Sequence, residues 1–165
     1  MKLTNSDIDK IKEEIEYRKL VVRKEALEAV KEARAHGDLS ENFEYHAAKK
    51  DKNKNESRIR YLEKILKTAT IISDESESDE VGLNNTVEVY FEEDDEIETF
   101  KIVSTMRGDS VKGRISSESP IGAALMGHKA GDRVEIKVND NYSYYVVIKS
   151  IENTGEEESD TIRSY

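Results

Sequence analysis

The sequence predicts an α+β protein, with a long antiparallel coiled-coil hairpin of α-helices in its first half and a small antiparallel β-sheet with one short helix in its second. Two observations predict the hairpin: apolar residues recur every three or four positions, and no Gly or Pro occurs from Ser6 to Ala35. A third predicts the sheet, because apolar and polar residues alternate in short runs beyond residue 86. The predicted domains are a hairpin over 1–73 with its tip at 36–42, a linker over 74–85, a sheet domain over 86–154 and an acidic tail over 155–165.

The two predicted helices each carry a narrow apolar stripe. Four residues, 36–39, connect the helices, which favours an antiparallel pair. Each helix of about 30 residues would be about 45 Å long. We expect Lys52 and Asn55 to lie roughly opposite Glu25 and Glu28. The first stripe comprises Ile8, Ile11, Ile15, Val22, Ala29 and Ala33, and the second comprises Tyr45, Ala48, Lys52, Asn55, Ile59, Leu62, Leu66 and Ala69.

The second half alternates in the manner of strands. The linker residues before it are small, acidic and turn-forming, and the acidic tail after it is expected to be mobile. A short helix is predicted after Ser119, with Ser as N-cap, Pro120 at the first position and Gly127 beyond the end. The predicted strands are Val87–Phe91, Phe100–Val103, Arg133–Val138 and Tyr142–Ile148, the last two joined by a turn at 139–141.

Charge is divided unevenly along the chain. The net charge is −10, yet residues 1–73 carry 17 Lys/Arg against 14 Asp/Glu, a balance of +3, so the acidic excess belongs to the second half. An acidic surface is a poor partner for phosphate, so we do not expect the second half to bind nucleic acid. No Cys is present and the His residues form no ligand cluster. We see neither a secretory signal nor an apolar run of about 18 residues, so the expected location is the cytoplasm, without a membrane partner.

Asp38 and Glu41 lie at the predicted tip, and two interpretations compete there. Asp or Ser followed three residues later by Glu is typical of a capping box, in which side chains bind the free N–H groups of a helix start. Alternatively, two carboxylates at the end of a long hairpin are suited to work inside the cavity of another protein. The pattern alone favours the cap.

Two longer motifs carry a family resemblance. The run EARAHGDLSENFEYHAAKK, residues 32–50, resembles the signature of the GreA/GreB transcript cleavage factors, and ESPIGAALMGHKAGDRVEI, residues 118–136, resembles the second signature of that family. Leu39 and the run His46-Ala47-Ala48 are more similar to the GreA branch than to the GreB branch. The resemblance implies that the sheet domain is similar to the FKBP fold.

The resemblance also implies a function. Such factors bind RNA polymerase and insert the coiled coil through its secondary channel when the enzyme has backtracked. The tip acids, matching Asp38 and Glu41, then help the polymerase to hydrolyse its own transcript. These carboxylates would be Mg²⁺ ligands only within the polymerase complex, since two exposed carboxylates leave most of the coordination to water. The protein is thus expected to be a catalytic cofactor and not itself an enzyme, with no small-molecule substrate.

Further residues match family positions. Asn42 and Tyr45 are expected to support the tip, although packing on the helix surface is equally favoured for Tyr45. Phe43 stands where a small residue is commoner. Basic residues on the second helix are expected to face the RNA 3′ segment, unless they simply form a solvated helix face. These basic residues are Lys49, Lys50, Lys52, Lys54 and Arg58.

Glu118, Ser119 and Pro120 match the loop that docks such factors on the polymerase at the rim of the channel. The FKBP resemblance raises prolyl isomerase activity as a rival function, but the chain has no Trp and no Phe cluster to line a proline pocket. A binding-only inhibitor and a structural coiled-coil adaptor both stay open. The inhibitor would occupy the same channel without stimulating cleavage, and the adaptor would tolerate mutations at the tip.

Overall fold

The computed structural model describes residues 1–37, 42–157 and 160–163. The chain divides into two compact units. Ile8–Ala69 form one, called here the hairpin unit, and Met1–Asp7 with Thr70–Tyr165 form the other, the sheet unit. No helix in the described part of the chain is long and apolar enough to cross a membrane.

The hairpin unit is built from helices, as the sequence predicts. The first arm consists of α1, Asn5–Tyr17, a π-helical turn, Arg18–Val22, and α2, Arg23–Arg34. The second arm is α3, Phe43–Thr68. Along α3 the predicted seam is confirmed where it is most apolar, because Ile59 and Leu62 are buried.

The apolar stripe of the first arm differs from the prediction at one residue beyond the π-helical turn. Ile11, Ile15 and Ala33 are buried as predicted, but Val30 is buried and the predicted Ala29 is exposed. The stripe prediction is therefore wrong at Ala29.

Asn55 joins α3 to this turn. Its side-chain oxygen accepts from the Arg18 guanidinium at 3.1 Å, and its amide nitrogen donates to the Arg18 carbonyl at 3.2 Å. The predicted position of Asn55 opposite Glu25 or Glu28 is thus wrong. Instead, Arg23 pairs with Glu56 through two hydrogen bonds of 2.7 and 2.9 Å.

The sheet unit contains a five-stranded sheet. The strands of this unit, in chain order, are β1 Lys2–Leu3, β2 Thr70–Ile71, β3 Asn85–Phe91, β4 Glu96–Val103, β5 Arg114–Ser116, β6 Arg133–Asn139 and β7 Tyr142–Asn153. The order in the five-stranded sheet is β5-β4-β3-β7-β6, and every neighbouring pair is antiparallel except β4 with β5. A short helix, Pro120–Leu125, follows β5 and is called α4. The four predicted strands are present, and the parallel β5 adds to them.

Two short strands tie the N-terminus into this unit. β1, Lys2–Leu3, pairs in parallel with β2, Thr70–Ile71. Val81 and Leu83 lie in the hydrophobic core together with Val87 and Ile136. The hairpin domain predicted over 1–73 therefore differs from the observed division at both ends, and the linker predicted over 74–85 includes core residues at its end.

The C-terminal segment is packed where the structure describes it. Asp160 is 1% exposed, and its carboxylate pairs with Lys101 and, at 2.7 Å, with Arg114. The backbone N–H of Arg163 donates to the Met106 carbonyl at 2.8 Å. Residues 160–163 of the mobile tail predicted over 155–165 are therefore packed against the rest of the sheet unit. Counterions inside the sheet unit hold the segment in place.

Candidate functional site

The tip of the hairpin is where α2 ends and α3 begins. The chain leaves α2 through Ala35 and His36 and reaches Gly37, whose φ of 110° favours glycine. α3 starts at Phe43. Asp38 and Glu41, the predicted catalytic and metal-binding carboxylates, lie outside the described residues together with Leu39 and Ser40. Their roles stay predictions.

Asn42 connects the two helix ends. Its side-chain oxygen accepts from the Tyr45 backbone N–H at 3.0 Å, so Asn42 is the N-cap of α3. Its amide nitrogen donates to the Ala33 carbonyl at 2.7 Å, near the end of α2. The side-chain amide of Asn42 thus links the end of α2 to the start of α3, on either side of the tip. This is a physical basis for the tip-support role predicted for Asn42.

The N-cap of α3 bears on the capping-box interpretation of Asp38 and Glu41. A capping box formed by this pair would require a helix that begins immediately after Asp38, with Glu41 at its third position. The observed helix begins at Phe43, and Asn42 provides the cap. The cap of α3 therefore does not depend on either carboxylate.

Tyr45 is held between the helices. The Arg34 guanidinium lies 5.7 Å from the centre of the Tyr45 ring. Arg34 also hydrogen-bonds the phenol, which lowers the pKa of Tyr45 below its ordinary value. The half-buried ring thus packs against the first arm, and this favours the packing interpretation. Sequence reasoning did not identify Arg34, because its partner is distant in the sequence.

His36 and Glu44 also face each other across the tip. The His36 Nδ1 lies 3.1 Å from a Glu44 carboxylate oxygen, and both side chains are more than half exposed. Such an exposed contact contributes little to stability.

Only some residues of the predicted basic patch are exposed to solvent. Lys49, Lys50 and Lys54 are exposed. Lys52 is half-buried on the seam side. Arg58 is 4% exposed and pairs with Glu14, so its predicted RNA-facing role is wrong. A spacing of four residues rotates by about 40° around the helix at each step, so Arg58 lies about 80° from Lys50 and faces the seam.

Glu118, Ser119 and Pro120, called here the docking loop, precede and begin α4. The Ser119 hydroxyl accepts from the Gly122 N–H at 3.1 Å and donates to the Ser116 carbonyl at 2.6 Å, which confirms the predicted N-cap. Pro120, the first residue of the helix, is exposed. The loop thus presents a rigid ring at the surface.

Glu118 anchors this loop to its own unit. Its carboxylate accepts from the Thr105 hydroxyl and, at 3.3 Å, from the Lys2 backbone N–H. The hydrogen bond from Thr105 is the main cause that lowers the pKa of Glu118, which keeps the carboxylate charged. Glu118 therefore has a structural role, which the sequence motif did not reveal.

The described residues offer no metal site of their own. Across 1–37, 42–157 and 160–163, no three His, Asp or Glu side chains come close enough to hold a metal ion. Carboxylate oxygens at the tip are nonetheless of the type that Mg²⁺ prefers. Two such groups would need further ligands from elsewhere.

Comparison with known proteins gives matches over most of the chain. The N-terminal model of the GreA/GreB transcription elongation factors matches residues 1–71, and the C-terminal model matches residues 75–153. The chain is 45% identical over 137 residues to the transcription elongation factor GreA of Thermoanaerobacter pseudethanolicus, covering 82% of this chain and 87% of that one. It is 43% identical over 149 residues to GreA of Clostridium acetobutylicum, covering 88% and 93%.

Solved structures also align with the chain. The transcription factor Gfh1 matches with a TM-score of 0.45 and 27% identity, over 92% of this chain and 96% of that one. GreA/GreB from Nitrosomonas europaea matches with a TM-score of 0.39 and 26% identity, over 57% and 78%. The family assignment is independent of these alignments, because the two sequence models together cover nearly the whole chain. The chain belongs to the GreA/GreB family of transcription elongation factors.

Proposed function

We propose that the protein binds bacterial RNA polymerase, inserts its hairpin through the secondary channel and stimulates Mg²⁺-dependent cleavage of the transcript 3′ end in backtracked or arrested complexes. The observation that carries this proposal is the construction of the tip. Two long helices are joined by Asn42 at their ends, and the segment between Gly37 and Asn42 contains Asp38 and Glu41. The family membership supports the role in elongation.

The tip acids complete an active site that belongs to the polymerase. Asp38 and Glu41 would supply oxygen ligands to a Mg²⁺ ion that the polymerase holds only weakly, and would orient or deprotonate the attacking water. The ion, when bound, polarises the phosphodiester and lowers the pKa of water. Two carboxylates alone would leave most of the Mg²⁺ coordination to water, so the protein would act as a catalytic cofactor of the polymerase.

The charges on the hairpin suit this placement. Lys49, Lys50 and Lys54 are exposed on α3, behind the tip. They would attract the phosphates of the extruded RNA 3′ segment, and that attraction would weaken as salt rises. The acidic sheet unit would take no part in binding RNA and would dock the factor on the polymerase through Glu118, Ser119 and Pro120.

Cleavage in a reconstituted backtracked elongation complex with 5′-labelled RNA tests the proposal. We expect the wild-type protein to accelerate cleavage, and Asp38→Asn and Glu41→Gln to abolish the acceleration while polymerase binding persists. Glu32→Gln and Asp51→Asn are matched controls, because both remove an exposed carboxylate of the same two arms away from residues 38–41. They should cleave like wild type.

Each contrary result has a defined meaning. Binding without cleavage by the wild-type protein would support a binding-only regulator of the same channel. Full cleavage by both tip variants would leave the carboxylates without a catalytic role, as expected for a structural adaptor. If the wild-type protein does not bind the polymerase, the proposal is wrong.

A further inference from the structure

Phe43 is an aromatic residue whose ring lies almost wholly in solvent. It is 87% exposed, at the first position of α3 and next to the cap residue Asn42. Single exposed apolar residues are common and by themselves require no explanation. The meaning of Phe43 therefore depends on the residues that share its side of the helix.

Phe43, Lys50 and Lys54 form one line along α3. At about 100° per residue, both lysines lie within about 20° of Phe43 around the helix, one on either side, and about 40° from each other. Along the axis they lie about 10 Å and then about 6 Å apart. Both lysines are exposed. Asp51 lies on the flank of this line and remains a solvated neighbour.

The line points away from the seam. Asn55, Ile59 and Leu62 are buried between the arms, and helical geometry places them about 100–160° from Phe43. Tyr45, in the same turn as Phe43, has its ring beside the Arg34 guanidinium and is half-buried. The first turn of α3 thus uses one aromatic ring to join the arms and presents the other to solvent.

We propose that Phe43 is a stacking platform for an unpaired base of the extruded RNA 3′ segment, with Lys50 and Lys54 binding phosphates behind it. The inference rests on the proposed function, which brings that RNA to the hairpin. Proteins bind single strands by combining a positive track for the backbone with aromatic rings for the bases. Every base has a face that can stack, so one ring would serve any transcript.

The occupant is a base and not an apolar wall of the polymerase, because the ring continues a line of cations. A wall that covers an apolar residue gains nothing from lysines in the same line, whereas a nucleotide chain needs both kinds of contact. Phe43 would be a positioning residue: it would hold the RNA while other groups carry out hydrolysis.

The test combines removal of the ring with removal of the base. Backtracked complexes would be assembled with normal RNA and with RNA that is abasic throughout its extruded segment, and cleavage would be measured at subsaturating protein. On normal RNA we expect Phe43→Ala to be slower by about fivefold to hundredfold, the range measured for loss of one stacked base. Phe43→Trp should retain the wild-type rate.

On abasic RNA, wild type and Phe43→Ala should cleave at the same rate, because the base that the ring contacts is gone. Tyr17→Ala is the matched control. Tyr17 is an exposed aromatic residue of the same arm pair, 57% exposed in α1. Its loss should change neither rate.

Two results would overturn the inference while leaving the proposed function intact. Equal rates for Phe43→Ala and wild type on normal RNA would remove the contact altogether. If Phe43→Ala cleaves abasic RNA as much more slowly than wild type as it cleaves normal RNA, Phe43 contacts the polymerase and not a base. If wild type accelerates cleavage on neither RNA, the proposed function itself fails and this inference fails with it.

Discussion

Arg58 and Glu14 bind each other across the hairpin seam. The Arg58 Nε and Nη2 lie 2.8 and 3.2 Å from the two carboxylate oxygens of Glu14. Arg18 donates to the same carboxylate at 2.7 Å. The Arg58 side chain is only 5% exposed, so the carboxylate of Glu14 stabilises a charge that is largely removed from water. One carboxylate therefore pairs with two guanidinium groups in the contact between the arms.

Glu14→Gln should lower the free energy of unfolding by about 2–3 kcal/mol, because it removes the carboxylate charge that faces the buried Arg58 guanidinium. The value lies below that for a fully buried pair, since Glu14 is partly exposed. Urea unfolding followed by circular dichroism measures it. Glu13→Gln is the control, because Glu13 is 68% exposed and pairs only at the surface with Lys10. Equal losses in the two variants would contradict the assignment.

The same carboxylate predicts a pH dependence. Burial by itself raises the pKa of Glu14, but hydrogen bonds from Arg58 and Arg18 outweigh it and hold the pKa below the ordinary 4.5. A lowered pKa in the folded state stabilises the protein above the unfolded value, and the stabilisation is lost as pH falls through the folded value. Unfolding free energies from about pH 7 to about pH 3 should thus fall less steeply for Glu14→Gln than for wild type. Parallel curves would exclude Glu14 as a contributor.

The hairpin was largely predictable from sequence, and its irregularities were not. Ile59 and Leu62 follow the alternation of three and four residues because apolar burial imposes it. The π-helical turn has no Gly or Pro to mark it. It coincides with a hydrogen bond from Asn55 to the Arg18 carbonyl, a tertiary contact that no local pattern encodes.

Predictions from charged residues were wrong where those residues form ion pairs with distant parts of the chain. The acidic segment after residue 154 suggested mobility, yet Asp160 is buried because Lys101 and Arg114 neutralise it. Arg58 was assigned to a surface by its spacing, although Glu14 draws it into the seam. By contrast, the Ser119 cap was predicted correctly, since a cap followed by Pro is a local signal.

Two substitutions of Asn42 should show how far the stability of the tip and its effect on cleavage depend on each of its hydrogen bonds. Asn42→Ala removes both hydrogen bonds and should cost about 1–2 kcal/mol of unfolding free energy. Asn42→Asp keeps the acceptor for the Tyr45 N–H but loses the donor to the Ala33 carbonyl. We expect the Asp variant to be more stable than the Ala variant, and both to stimulate cleavage less than wild type. Thermal unfolding and the cleavage assay measure the two effects. Wild-type cleavage by the Asp variant would show that the bond to Ala33 is dispensable.

Asp160 should stabilise the sheet unit, although it lies beyond residues 75–153, the range that the C-terminal family model matches. Asp160→Asn removes the charge that faces Lys101 and Arg114, so we expect a loss of about 3 kcal/mol, as for other broken buried pairs. Thermal unfolding and amide exchange in β4 would detect it. Glu157→Gln is the control, because that side chain is more than half exposed and 3.8 Å from Lys101. An unchanged melting temperature for Asp160→Asn would mean that these ion pairs do not stabilise the sheet unit.

Gly122 should control the position of the docking loop. A Cβ at this residue would lie 2.0 Å from the Ser116 carbonyl oxygen, a backbone atom that cannot move without the strand that carries it. Gly122→Ala should therefore destabilise the sheet unit by about 1–3 kcal/mol. Because Ser119 is hydrogen-bonded to both Ser116 and Gly122, the same strain should displace Pro120.

The matched control for Gly122 is Gly108→Ala, where the nearest atom, the Thr105 carbonyl oxygen, would lie 3.5 Å from the new Cβ and φ is −60°. That variant should keep or slightly gain stability, since Ala restricts the unfolded chain. If Pro120 is a docking residue, Gly122→Ala should bind polymerase more weakly than Gly108→Ala at a temperature where both are folded. If the two variants bind the polymerase with equal affinity, the position of the docking loop does not affect docking. The strain at Gly122 would then lower stability alone.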